Sequence, residues 1–184
     1  WLMNGTTLGS YAFLAPDTLD WVVGHIPQRP AAADFNHDGK PDIVWQNTTT
    51  GERYVWLMDG TTFGSQVSLG FIGTDWTIVG AADLNGDGRC DILWQNNVTG
   101  ERGVWLLNGT TLAGFVSIAT IPTDWQMGGV GDFDADNKND ILWQNMVTGE
   151  RAIWLMGGTK LAGYILLGFI SPDWQISGVG DFNR

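Results

Sequence analysis

The apolar residues of this chain fall in short runs, and within a run they occupy consecutive positions. Ile43-Val44-Trp45 and Val55-Trp56-Leu57-Met58 are examples, each bounded by clusters of Gly, Asn, Thr and Asp. Runs of this length, rich in Val, Ile, Trp and Leu and punctuated by turn residues, predict short strands joined by tight turns. A strand with one face in water alternates apolar with polar, so the unbroken runs predict sheets covered on both faces. No window keeps the helical period between caps.

The pattern recurs every 49 residues. One unit reads Trp76-Thr-Ile-Val-Gly, an acidic segment, Asp91-Ile-Leu-Trp94-Gln95-Asn96, then Gly100-Glu101-Arg102 leading to Val104-Trp105-Leu-Leu-Asn108-Gly109, and a weaker apolar run, Phe115 to Ile121. Its counterpart one unit earlier is Gln66 to Ile72. Four strands in a unit of this size match one blade of a propeller. A parallel β-helix is the rival repeat fold, but its rungs are shorter and would show subrepeats. The expected fold class is therefore all-β, a β-propeller of four-stranded antiparallel blades, about 3.75 of them in this chain. The expected divisions are a partial blade at 1–20, blades at 21–73, 74–122 and 123–171, and a partial blade at 172–184. Trp1-Leu2-Met3-Asn4-Gly5 aligns with Trp56-Leu57-Met58-Asp59-Gly60, so the count is fifteen strands, one short of four blades. An open sheet edge invites association, so the chain is expected to be a piece of a longer one or to close its ring with further copies. One unit is irregular: six extra residues within Gly24-His25-Ile-Pro27-Gln-Arg29-Pro30 predict a bulged loop, since proline cannot donate to a central ladder.

Composition adds a constraint. The net charge is −11, and eleven of the 20 acidic residues lie in the repeated acidic segment. Three bound divalent cations would bring the charge to −5, so much of the imbalance reads as a ligand inventory. The nine Lys and Arg are scattered singly, which excludes a basic stripe for nucleic acid and disfavours an anionic membrane surface. Tyr164 to Ile170 is far too short to cross a bilayer, and no leader pattern opens the sequence, which starts at Trp1 inside a unit. The single cysteine, Cys90, allows no internal disulfide and is expected to be a small buried side chain.

The acidic segments carry the chemistry. Asp34-Phe-Asn36-His-Asp38-Gly39-Lys40-Pro-Asp42 returns as Asp83-Leu-Asn85-Gly-Asp87-Gly88-Arg89-Cys-Asp91 and as Asp132-Phe-Asp134-Ala-Asp136-Asn137-Lys138-Asn-Asp140, and a fourth copy starts at Asp181. Oxygen side chains at positions 1, 3 and 5 with a tightening residue at 6 open a calcium-loop signature. The bidentate Glu that closes the helical version at position 12 is missing, since that position is Trp45 in the first copy; an Asp at position 9 takes its place. With the backbone carbonyl of Lys40, Arg89 or Lys138 at position 7, each loop offers five protein oxygens and no His or Cys, which favours Ca²⁺ over zinc or copper. One structural Ca²⁺ per complete loop is expected.

Asp-Phe-Asn-x-Asp-Gly-Lys-x-Asp followed by Ile-Leu-Trp-Gln-Asn resembles the FG-GAP/VCBS repeat, the blade unit of integrin-α-type β-propellers, and the resemblance spans essentially all of the chain. It implies Ca²⁺ in the loop between the first two strands of each blade, on Asp34, Asn36, Asp38, Lys40 and Asp42 and their counterparts. It also implies a secreted or cell-surface protein. Asn137 departs from the pattern where Gly39 and Gly88 stand, but Asn tolerates the left-handed conformation better than most residues.

Eleven tryptophans raise the prospect of sugar stacking, yet their recurrence at three positions of the unit predicts packing between sheets. Gln46, Gln95, Gln144 and Asn47, Asn96, Asn145 are expected to cap turns or to bond between blades, and Glu52-Arg53, Glu101-Arg102 and Glu150-Arg151 to form surface or interblade ion pairs. Asn4, Asn47, Asn97 and Asn108 lie in glycosylation sequons. The two histidines, His25 and His37, have no nucleophile constellation beside them, so no catalysis is expected. The expected function is extracellular recognition, of a glycan or of another extracellular protein, with a non-catalytic structural or protein-interaction domain as the alternative.

Overall fold

The computed structural model describes residues 33–180 in full and three earlier segments, β1 (Leu2–Asn4), β2 (Thr7–Ser10) and β3 (Trp21–Val23), by their backbone. The inserted segment around His25 to Pro30 and the fourth loop at Asp181 lie outside the described residues. Every regular element among the described residues is a strand. Three antiparallel meanders follow one another: β3, β4 (Ile43–Asn47), β5 (Glu52–Asp59) and β6 (Thr62–Phe71); β7 (Trp76–Ala82), β8 (Asp91–Asn96), β9 (Glu101–Asn108) and β10 (Thr111–Thr120); β11 (Trp125–Gly131), β12 (Asp140–Asn145), β13 (Glu150–Gly157) and β14 (Lys160–Phe169). The strands β1 and β2 form a two-stranded sheet. Consecutive antiparallel pairing throughout removes the parallel β-helix from consideration. The three sheets have the strand number and order of propeller blades.

The unbroken apolar run of β8 in the second sheet is covered on both faces, whereas Ile43, Trp45, Trp56 and Leu57 of the first sheet are only half-buried. All six residues of β8 are buried, because one of its faces meets the first sheet and the other meets the third. Between the first and second sheets Val44 and Val55 pack with Ile78, Ile92, Trp94 and Leu107. Between the second and third, Leu93 and Val104 pack with Met127, Ile141, Trp143 and Met156. The fourth strands, read only as weak apolar runs, are ten residues long and largely exposed.

Fourteen strands are described, and the fifteenth is not among them. Residues 174–180 run along the third sheet without strand pairing. Among the described residues no strand pairs with this segment to form a ladder. It is nevertheless held: Ile176 N donates to Gln144 Oε1 at 2.9 Å, and a β-carbon added at Gly128 would sit 2.8 Å from Ile176.

The links between sheets repeat as faithfully as the strands. Gln46 Oε1 accepts Ile78 N at 2.9 Å and Gln95 Oε1 accepts Met127 N at 3.1 Å, each joining the second strand of one sheet to the first strand of the next. Asn47, Asn96 and Asn145 use Oδ1 to cap the following turn, accepting the N–H groups two and three residues on. The arginines correct the expected ion pairs. Arg53, Arg102 and Arg151 are buried and spend their guanidinium on carbonyls, at Asn47, Asn96 and Asn145 within the sheet and at Trp76, Trp125 and Trp174 beyond it. Arg53 also lies over the Trp94 ring and Arg102 over Trp143, at 5.6 and 5.8 Å from the centroids. A delocalised, weakly hydrated cation suits such a site, which an ammonium would not fill.

Candidate metal centre

Each acidic loop joins the first strand of its sheet to the second: Asp34 to Asp42 before β4, Asp83 to Asp91 between β7 and β8, and Asp132 to Asp140 between β11 and β12. The chain turns back within nine residues by entering the left-handed region twice. Position 4 does so at His37 (φ 60°), Gly86 (84°) and Ala135 (63°), and position 6 at Gly39 (81°), Gly88 (82°) and Asn137 (66°). Asn137 therefore adopts the conformation that its two glycine counterparts supply. Such a left-handed pair rolls the N–H groups of the loop inward toward its carboxylates.

Positions 1, 3 and 5 are brought together in every copy. Asp34 Oδ1 and Asn36 Oδ1 both accept Asp38 N, at 3.2 and 3.1 Å; Asp83 and Asn85 both accept Asp87 N, at 3.2 and 2.8 Å; Asp132 and Asp134 both accept Asp136 N, at 3.0 and 3.2 Å. The second oxygen of the first aspartate takes the N–H at position 6, Gly39, Gly88 or Asn137. Position 5 in turn accepts the N–H of position 7, at Lys40, Arg89 and Lys138, each at 2.9 Å. In the third loop one carboxylate oxygen from each of Asp132, Asp134 and Asp136 lies within 4.8 Å of the others, close enough for one ion to touch all three.

Position 9 is placed differently. The carboxylates of Asp42, Asp91 and Asp140 are buried, and each holds two backbone N–H groups: Phe35 and Met58, Leu84 and Leu107, Phe133 and Met156. One bond closes the loop and the other reaches the third strand of the sheet. Sequence reading treated this residue as a ligand alone and missed the tie. The signal was available, because an Asp that opens an otherwise apolar strand in every unit needs partners when it is buried. Burial pushes Asp91 up to about 6 and also raises Asp42, against the opposing pull of the two N–H donors.

The oxygen-only donor set fits a hard cation, and the convergence of positions 1, 3 and 5 supplies its first contacts. Around the loops, Lys40 reaches Asp59 and Lys138 reaches Asp136. His37 is exposed at the turn. The tryptophans divide. Trp94 and Trp143 are buried between sheets, whereas Trp56, Trp105 and Trp154 are half-buried and pack at a tilt of 50 to 54° against their neighbours Trp45, Trp94 and Trp143, with ring centroids 4.7 to 5.0 Å apart. Asn47 is buried, so its sequon is not accessible in the folded chain, while Asn97 and Asn108 are exposed.

A family model described as an FG-GAP-like repeat matches residues 34–94 and again 83–143. Each match runs from one acidic loop through the last three strands of its sheet, then through the first strand and loop of the next sheet to the Trp of that sheet's second strand. No curated relative and no solved structure matches the chain.

Proposed function

The chain belongs to the FG-GAP-like repeat family, and on that premise we propose that it is a calcium-stabilised β-propeller module of an extracellular or surface protein, acting in recognition or adhesion. The observation that carries this reading is the threefold recurrence of one turn whose side-chain oxygens converge, at the same place in each sheet. Ca²⁺ would take the side chains of positions 1, 3 and 5, with the position 7 carbonyl and the remaining lone pairs of Asp42, Asp91 and Asp140 completing the shell. The ion supplies positive charge at a crowded set of carboxylates and fixes the turn between two strands. Extracellular modules of this kind bind with a Kd of about 10⁻⁴ to 10⁻³ M.

Carbohydrate is the more specific version of the ligand. Trp56, Trp105 and Trp154 recur one per sheet and are half-buried, so identical weak sites on successive blades would gain through avidity. Protein interaction is the second reading, supported by Phe71, Tyr164 and Phe169, which are 70% or more exposed on or at the end of the fourth strands. No catalytic residue is assigned. Ring closure, by further blades or by a second copy, belongs to the same proposal.

Thermal unfolding in excess chelator and in millimolar calcium tests the reading: calcium is expected to raise the Tm, and superimposable melts would refute it. A glycan array run in calcium separates the two ligands, because silence at high protein concentration removes the lectin version.

A further inference from the structure

The three loops are alike in backbone and unlike in charge. In the first two, position 3 is Asn36 or Asn85, whose Nδ2 donates to the position 5 carboxylate at 3.3 and 3.2 Å. Part of the negative charge is thereby offset within the loop. In the third loop position 3 is Asp134, which has no proton to give, and three carboxylates crowd together instead. Asn137 adds the cost of a left-handed side chain where the other loops have glycine. Lys138 answers one of these charges at Asp136, yet the third loop still sets four carboxylates against one cation where each of the others sets three, so it offers a calcium ion the most ligand charge. Calcium affinity in oxygen-lined loops is tuned by the ligand charge count.

The third loop also touches the second. Asn139, between positions 7 and 9, donates from Nδ2 to the backbone carbonyl of Asp83 at 2.8 Å, and Asp83 is the residue that opens the second loop. The corresponding residue of the second loop is Cys90, a weak donor. A second connection runs through β13. Met156 N holds Asp140, and the turn that follows brings Gly158 against the second loop, where an added β-carbon would lie 3.6 Å from the carbonyl of Asn85.

We propose that the loops fill with calcium in a fixed order, the third first, with Asp134 setting its higher affinity and Asn139 passing part of the gain to the second loop. The proposal rests on the calcium reading above and adds to it which residues make the sites unequal. Filling the third loop fixes Asn139, and a fixed Asn139 holds the carbonyl of Asp83 and so the start of the second loop in its binding conformation.

Calorimetric titration of calcium into the full chain and three variants tests it, with circular dichroism confirming that each variant is folded. The parent is expected to show one tight site ahead of two weaker ones. Asp134→Asn should weaken the tight site about tenfold and make the three sites nearly equal. Asn85→Asp, a gain of affinity that misfolding cannot imitate, should create a second tight site. Asn139→Ala should leave the tight site in place and weaken the next one about threefold, within the range of coupling free energies. Three equal sites in the parent, or a tight site untouched by Asp134→Asn, would overturn the order while leaving calcium binding intact. No calcium heat in any variant would instead remove the calcium reading, and the order with it.

Discussion

At the scale of the residue, the acidic loops depend on two backbone positions, and only one of them was legible in the sequence. Position 6 declared itself through Gly39 and Gly88. Position 4 did not, because His37, Gly86 and Ala135 have no side-chain property in common and share only a left-handed φ. An alanine held there costs about 1 to 2 kcal/mol, less the roughly 0.5 to 1 kcal/mol of extra unfolded-state entropy that glycine brings. Ala135→Gly should therefore raise the unfolding free energy by up to about 1.5 kcal/mol in denaturant titrations with chelator present; a fall would show that Ala135 is not strained. The buried Asp91 makes a prediction of opposite sense to the usual carboxylate. Its folded-state value of about 6 lies above the ordinary 3.8, so between these limits the folded chain keeps a proton that the unfolded chain releases. Stability from this group is then greatest below about pH 4 and declines as pH rises toward 6. The difference in Tm between the metal-free parent and Asp91→Asn should shift against the parent across that interval, and a difference that is flat with pH would contradict the assignment.

At the scale of the element, strand pairing was legible from period and turn chemistry, whereas the contacts that lock one sheet to the next were only half so. The glutamines could be expected to bond between blades because they recur just before a turn in an apolar strand. The arginines beside Glu52, Glu101 and Glu150 looked like surface charge. What their sequence surroundings could not show is a carbonyl 23 residues ahead at 2.6 to 2.8 Å, on the first strand of the following sheet for Arg53 and Arg102 and at Trp174 for Arg151. Removing Arg102 takes a donor from three backbone carbonyls, of which that of Asn96 keeps Gly100 N, and takes a cation from the face of Trp143. Arg102→Met should cost about 3 kcal/mol, the loss of two or so charge-assisted hydrogen bonds, in equilibrium unfolding. Arg102→Lys should recover little of it, since an ammonium cannot reach both sheets at once. Full rescue by lysine would show that charge alone is needed.

At the scale of the whole molecule, repetition made the architecture readable, because a unit that cannot bury its own faces must stack on copies of itself. Residues 174–180, expected as the first strand of a further blade, have no ladder to join among the described residues. Among the described residues, the outer face of the third sheet is less covered than that of the second. Ile165 and Leu167 are 44% and 54% exposed where Val116 and Ile118, one unit earlier, are half-buried, and Trp174 is 71% exposed. If a second copy covers this face, light scattering should give a mass above the 20.1 kDa of one chain, and Leu167→Lys should restore the single-chain value. A single-chain mass at high concentration would rule that closure out. Narrower than closure is the proposal that oxygen-lined turns, one per sheet, each hold a cation. Diffraction from crystals grown in millimolar calcium, recorded at a wavelength where calcium scatters anomalously, tests it most directly. The account predicts three anomalous peaks, each among the side-chain oxygens of positions 1, 3 and 5 of one loop; featureless density at all three turns would contradict it.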